Sequence, residues 1–493
     1  MNPPIRSPLD ELGLNLTRRR FFEQGSHLLG GAALASLLPG GLTHGAPSAQ
    51  NNSNIEIPRV PGAIGPHFAP KAKHVIYLHM VGGPPQQDMY DYKPVMDDWY
   101  DKELPESIRN GQRLTTMTSG QKRFPIAPSK FKFKQHGESG MWVTELLPWT
   151  AKMVDEMCFV RSMHTEAINH EPAITYMQTG NQITGRPCLG SWTSYGLGSL
   201  NEDLPAFVVL VAQSTKPAQA QAIGARLWSS GYLPGEYAGV SFRSSGDPIL
   251  YINNPPGVSD AVRRKTLDGL QALNQQTFEK IGDPEIRTRI AQYEMAYRMQ
   301  TSVPDLTDIS QESESTLALY GDQVKNAGSF ANSVLMARRM VERGVRFVQL
   351  YLNHWDTHSD VANRLPNGCR DIDQACYGLI NDLKSRGLLD DTLIVWGGEF
   401  GRTPAAQGAD GRDHNNKGYT TRMARRGGKG GFSYGSTDEH GYEAIENQCH
   451  IHDWHATILH LLGLDHERLT YRYAGRDFRL TDVPGVVAQD IIA

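Results

Sequence analysis

Short apolar runs recur along this chain, each bounded by turn formers or charges. One occupies residues 75–80 and meets Gly82-Gly83-Pro84; others lie at 157–160, 207–211, 347–352 and 393–396. Their content of β-branched and aromatic residues marks them as buried strands. Between them the apolar positions take a helical spacing. Val334, Leu335, Met340 and Val341 predict a helix over 331–342 that stops at Gly344. Ile372, Cys376, Leu379, Ile380 and Leu383 form one stripe over 371–384, and Ile458, Leu459, Leu461 and Leu462 mark a helix over 453–462. Strands alternating with helices predict an α/β three-layer sandwich with a mostly parallel central sheet covered on both faces. Residues 259–300 are helix-rich with a break at Gly282-Asp283-Pro284, and they run into a polar connector at 305–315. We read about 255–315 as a helical insertion between the two halves of the sheet.

The N-terminus has a different pattern. Thr17-Arg18-Arg19-Arg20-Phe21-Phe22 precedes a glycine- and alanine-rich apolar stretch at 28–38, followed by a polar segment with Ala46 and Ala49. A basic start, a short apolar middle and a small-residue exit make a signal peptide over 1–49, and paired arginines before Phe resemble the twin-arginine subclass. The expected partner is the twin-arginine export machinery, and the expected destination is the periplasm or the medium. Residues 50–493 are then the mature domain.

Composition narrows the function classes. A net charge of −4 over 493 residues, with no long basic run, gives no reason to expect nucleic-acid binding. No apolar run reaches the ~20 residues of a membrane-spanning helix. Cys158, Cys188, Cys369, Cys376 and Cys449 are odd in number and show no CxxC spacing, which points to isolated buried thiols.

Four strand-end loops concentrate polar chemistry, where a parallel sheet places its ligands. The loop after 75–80 carries two glycines and Asp88, a cation ligand or a helix cap. His164-Thr165-Glu166-Ala167-Ile168-Asn169-His170-Glu171-Pro172 precedes a helix expected near Pro172, so His170 would lie at its positive end. After 347–352 comes Asn353-His354-Trp355-Asp356-Thr357-His358, with Asp356 and His358 as a ligand pair. After 393–396 comes Gly397-Gly398-Glu399-Phe400-Gly401-Arg402, then Gly411-Arg412-Asp413-His414. Glu399 reads as a metal-binding carboxylate or the ion-pair partner of Arg402, and His414 as a further ligand. A basic run of Arg422, Arg425, Arg426 and Lys429 reads as a solvated loop, with anion capture as a weaker alternative.

At these residues the chain resembles the secreted bacterial family called domain of unknown function 1501. The matching segments are Asn169-His170-Glu171-Pro172-Ala173, Trp355-Asp356-Thr357-His358, Trp396 to Pro404, Gly411-Arg412-Asp413-His414 and Asp453 to Leu464. That family is similar, more distantly, to the alkaline phosphatase/sulfatase superfamily. The resemblance implies an alkaline phosphatase-like fold in which Gly398-Glu399-Phe400-Gly401 stands where sulfatase-like proteins carry Ser-Asp-His/Asn-Gly. Two departures matter. His170 falls where sulfatases carry the Cys that becomes formylglycine, with Ile174 at the accompanying Arg, so sulfatase chemistry through formylglycine is not implied. The usual Asp after the first strand is replaced by Val81-Gly82, leaving Asp88 as a substitute.

The expectation is an exported metal-dependent hydrolase of a phosphate or sulfate ester. Asp88, Asp356, His358, Glu399 and His414 would serve as metal ligands, with Zn or Mn favoured over Ca by the mixed nitrogen and oxygen set and no organic cofactor. His170 would act as base, nucleophile or further ligand, and Arg402, less surely Arg412, would pair with substrate oxygens. The substrate would be an anionic small-molecule or polysaccharide ester. The alternative is a non-catalytic extracytoplasmic binding or assembly protein on a degenerate sulfatase-like fold.

Overall fold

The computed structural model describes residues 64–492 apart from 110, 112–114, 116, 218, 244–245, 250–251 and 425–428. The signal-peptide reading of 1–49, and Arg425 and Arg426 of the basic run, lie outside the described residues.

Eleven strands position the chemistry: β1 (His74–Met80), β2 (Met157–His164), β3 (Phe207–Ala212), β4 (Val240–Phe242), β5 (Phe347–Leu352), β6 (Thr392–Gly397), β7 (Gly401–Gln407), β8 (Gly411–Asn415), β9 (Tyr419–Ala424), β10 (Phe432–Tyr434) and β11 (Cys449–His450). The main helices are α1 (His170–Thr179), α2 (Leu189–Leu197), α3 (Asp260–Ile281), α4 (Pro284–Thr307), α5 (Phe330–Glu342), α6 (Val361–Ser385) and α7 (Ile451–Leu461).

The central sheet runs β10–β2–β9–β6–β1–β5–β3–β4, with β11 also beside β2. Its pairs are parallel except those of β9, which runs against both β2 and β6. β1 lies at the centre, Val75 opposite Phe347 on one side and Leu393 on the other. All seven of its residues are buried. A strand covered on both faces must be largely apolar on both, which explains the run Val75–Leu78.

Successive side chains of the strands feed two cores. Ile76, Leu78, Val348, Leu350, Ile394 and Trp396 pack with α4, α5 and α6 on one face. Val75, Tyr77, Phe347, Tyr351, Leu393 and Val395 pack with α1, α2 and α7 on the other. The three-layer α/β sandwich expected from the alternating pattern is therefore present. α3 and α4 meet at the Gly282-Asp283-Pro284 break: Gly282 takes a φ of 73°, and the Asp283 side chain caps α4 by accepting from the Glu285 amide.

Three details differ from the sequence reading. α6 starts ten residues before the expected 371. β7 and β8 form a hairpin where loops were expected. The basic run begins inside a buried strand: Arg422 on β9 is 3% exposed, its guanidinium 4.5 Å from the Trp396 ring centroid, because cation–π contact and the Thr150 hydroxyl replace water. It is no solvated loop residue. All five cysteines are buried and unpaired, and no helix among the described residues is long and apolar enough to cross a membrane.

Candidate metal centre

The parallel strands end together at one edge of the sheet, and their loops deliver the polar residues there. β5 leads into Asp356 and His358, β6 into Glu399, and β2 through a short loop into α1, whose first residue is His170. The β7–β8 hairpin folds over this edge and brings His414, its register shifting between Arg412 and His414. Such irregularities re-aim side chains.

Asp356 Oδ1 is the hub. His358 Nε2 lies 2.9 Å from it, His170 Nε2 3.3 Å and His414 Nε2 3.8 Å. The Nε2 atoms of His358 and His414 are 3.1 Å apart. One ligand atom from each of the four residues lies within 4.8 Å of those of the other three.

Each imidazole is held from behind through its other nitrogen. His414 Nδ1 donates to the Ile168 carbonyl at 2.7 Å, His358 Nδ1 to Gln407 Oε1 at 2.5 Å, and His170 Nδ1 to Glu399 Oε1 at 2.6 Å. All three partners are acceptors, so each Nδ1 can donate to its own and leave Nε2, once free of a proton, with its lone pair aimed at the cluster. Three lone pairs and a carboxylate oxygen thus converge. Donors bound at about 2.1 Å to one ion lie about 3–3.5 Å apart, so the His358–His414 spacing fits a shared cation. The oriented Nδ1–H groups are the supporting contacts that metal-bound histidines require. The residues fit a divalent metal.

The electrostatics agree. Burial alone would depress His170, but hydrogen bonds to Asp356 and Glu399 outweigh it and raise its pKa above the ordinary value. Burial foremost, then the nearby charges of Arg402, His170 and His358, pushes His414 down to about 4 despite its Asp356 contact. Burial likewise opposes the Asp356 carboxylate, yet the three imidazoles and Arg402 hold it far below the usual carboxylate range. The position of His170 therefore favours a positive charge, while burial keeps His414 from carrying one.

Two glycines permit this crowding. Gly82 has a φ of 125° and a Cβ there would collide with the Asp356 amide. Its N–H donates to Glu399 Oε1 at 2.9 Å and its carbonyl accepts from Arg402 Nη2. A Cβ at Gly411 would strike the His358 carbonyl.

The structure brings Asp356, His358, His414 and His170 together and places the other expected site residues elsewhere. Asp88 does not face the cluster with a free carboxylate. Arg412 grips both of its oxygens, at 2.6 and 3.0 Å, because a buried carboxylate needs a buried partner. Arg412 is equally committed and is not a free substrate contact. Glu399 stands behind the cluster: Oε1 serves His170 and Gly82, and Oε2 faces His79 Nε2 at 3.4 Å. Arg402, 0% exposed, pairs with Asp356 at 2.6 Å, not with Glu399, and also donates to the Gly82, Gly83 and Arg412 carbonyls. It tethers Asp356 and has no exposed edge for a substrate.

Three supporting residues escaped the sequence reading. Gln221 donates to Asp356 Oδ2 at 2.9 Å, Gln407 holds His358, and His79 backs Glu399. His79 left a trace, an imidazole within a buried, mostly apolar strand; the two glutamines left none.

A family model described as a protein of unknown function (DUF1501) matches residues 72–492. No curated protein matches the chain. Among solved structures, a sulfatase from Pseudoalteromonas sp. is similar at 13% identity, with 86% of this chain and 72% of that chain covered and a TM-score of 0.37. A phosphonate monoester hydrolase from Silicibacter pomeroyi aligns at 10% identity over 79% of this chain and 73% of its own, TM-score 0.31. The alkaline phosphatase from the Antarctic bacterium TAB5 aligns at 10% identity over 80% and 99%, TM-score 0.31.

Proposed function

The chain belongs to this DUF1501 family, and because that description leaves the activity open we propose, from the clustered side chains, the N-terminal sequence and the resemblance set out above, an exported metal-dependent hydrolase of a phosphate or sulfate ester. The carrying observation is the convergence of the His170, His358 and His414 Nε2 atoms on Asp356 Oδ1, each ring fixed through Nδ1.

His170, Asp356, His358 and His414 would hold the ion, and a set of three nitrogens and one oxygen suits Zn or Mn better than Ca. When bound, such an ion polarises an ester oxygen and makes water a better nucleophile. Glu399 keeps the His170 proton on Nδ1 and its lone pair forward. Arg402 and Gln221 fix the Asp356 carboxylate from two sides. The Phe400 ring lies 4.8 Å from His170 and 4.6 Å from His414, centroid to centroid, and gives the cluster an apolar wall that limits water. His170 stands at the first residue of α1, where no Ser, Thr or Cys offers a hydroxyl or thiol nucleophile. Direct attack of water is the form we propose for His170 at that position.

The paired Arg18 and Arg19 and the apolar stretch behind them support export by the twin-arginine route to the periplasm or beyond. That route carries folded proteins, which allows the ion to be loaded before export.

The test is turnover of aryl phosphates and aryl sulfates by the chain reconstituted with Zn or Mn. We expect hydrolysis of one ester class, lost by at least about a hundredfold in His358→Ala and Asp356→Asn. A second reading rests on burial: Asp356, His414 and His170 are 2%, 6% and 7% exposed, as in closed structural metal sites. Stoichiometric metal with no turnover on either ester class would select that non-catalytic binding or assembly protein.

A further inference from the structure

β1 is buried along its whole length, yet it carries a histidine one residue before its end. His79 is 0% exposed, and the rings of Tyr77 and Tyr351 lie 6.1 and 5.7 Å from its own, centroid to centroid. An apolar side chain would serve packing at such a position. An imidazole there gives up water on both nitrogens and has to find polar partners in the protein.

It faces two. His79 Nε2 lies 3.4 Å from Glu399 Oε2, and Gln178 Nε2 lies 3.4 Å from His79 Nδ1. The first contact is too poorly aligned for a formed hydrogen bond, but neither of its atoms has another hydrogen-bond partner among the described residues. With the Gln178 amide donating to Nδ1, the ring proton sits on Nε2 and is directed at the carboxylate. Glu399 then faces three donors: His170 Nδ1 at 2.6 Å and the Gly82 amide at 2.9 Å on Oε1, and His79 on Oε2. The side chains close a circuit. It leaves α1 at His170, passes through Glu399 and His79, and returns to the same helix at Gln178.

We propose that His79 is a positioning residue of the metal centre: it steadies Glu399 through Oε2, so that Oε1 stays on the His170 Nδ1 proton and the His170 Nε2 stays aimed at the ion. Without it, a buried carboxylate oxygen is left with no polar neighbour and the group turns to find one, loosening its hold on His170. The inference rests on the metal reading of the cluster and extends it to a side chain that touches none of the four ligands.

The test is a double-variant cycle on the full-length chain, with zinc affinity read by equilibrium titration. His79→Leu should weaken binding about tenfold, the lower end for partners of metal-bound histidines, because it acts through a second group. His79→Gln, whose amide nitrogen reaches to about where Nε2 stood, should recover most of that loss. Added to Glu399→Gln, His79→Leu should cost less than about twofold more, since the group it acts through is already changed. Wild-type affinity in His79→Leu, no recovery in His79→Gln, or losses that multiply in the double variant would overturn the proposal. His79→Asn, whose shorter amide stops near the Nδ1 position, replaces His79→Leu if that variant does not fold. Proton NMR of the metal-free chain gives a readout independent of zinc. The His170 Nδ1 proton, in its 2.6 Å bond to Glu399, should resonate far downfield, move in His79→Leu and return in His79→Gln. A resonance indifferent to both variants overturns the proposal even where zinc binds. A wild type that takes up no metal ends the hydrolase reading, while the resonance still reports whether His79 steadies the His170–Glu399 bond.

Discussion

At the scale of single residues, some groups would touch the proposed ion and others hold the groups that do. Glu399 belongs to the second kind, and its replacement should act through His170. In Glu399→Gln the His170 tautomer loses its charged partner, and metal affinity is expected to fall about 10–100-fold in equilibrium titration, with one ion still bound at saturation. The same carboxyl sets a pH signature. Burial would raise its pKa, but the His170 and His79 contacts override burial and bring it down to about 2. A carboxyl depressed in the folded state stabilises above its unfolded value of about 4.3 and loses that contribution as pH falls toward the folded value. The metal-free wild type should therefore lose stability between about pH 4.5 and 2, and Glu399→Gln should show a shallower acid limb in urea unfolding. Identical limbs would contradict the placement. Much of this residue set was readable in the sequence, because Asp356, His358 and Glu399 leave strand ends in polar loops and His414 closes a polar Gly-Arg-Asp-His run. Their division of labour was not, since it depends on Gln407, Gln221 and His79 approaching from distant segments.

Among the elements, position follows from the sheet and precision from the glycines. The apolar runs announced β1, β3, β5 and β6 closely, since a strand buried on both faces cannot hide its composition. α6 was half hidden. Its first turns contain Pro366 and Gly368, poor helix formers in isolation, but a Cβ at Gly368 would lie 3.2 Å from the Trp355 ring, so tertiary packing selects glycine there. β9 was missed because Arg422 reads as a surface charge, and its burial rests on the Trp396 and Tyr90 rings and the Thr150 hydroxyl, all distant in sequence. The glycine with the most structural leverage is Gly82. Gly82→Ala combines an unfavourable backbone angle with a clash against the Asp356 amide, and should cost about 3 kcal/mol or more in denaturant unfolding. It should also release Glu399 and Arg402 from their Gly82 contacts and so weaken metal binding; a variant with wild-type stability and affinity would remove Gly82 from the account.

For the whole molecule, the proposed metal would tie stability to activity. An ion held only by the folded chain stabilises it by mass action, about 4 kcal/mol when free metal exceeds Kd a thousandfold. Chelation should therefore lower the melting temperature of the wild type and leave that of His358→Ala nearly unchanged. The imidazoles must be neutral to bind, so the stabilisation should shrink as pH falls through the histidine range. Export is tested separately: substitution of both Arg18 and Arg19 by Lys should retain the precursor in the cytoplasm of the expressing cell, detected by fractionation, and normal processing of that variant would contradict the twin-arginine reading.

The central claim is that His170, Asp356, His358 and His414 share one divalent cation, and anomalous diffraction from crystals of the metal-reconstituted chain tests it most directly. The account predicts a single strong peak at the absorption edge of the supplied metal, within bonding distance of the three Nε2 atoms and Asp356 Oδ1. No peak there, with the His358 and His414 nitrogens still in direct contact, would contradict it.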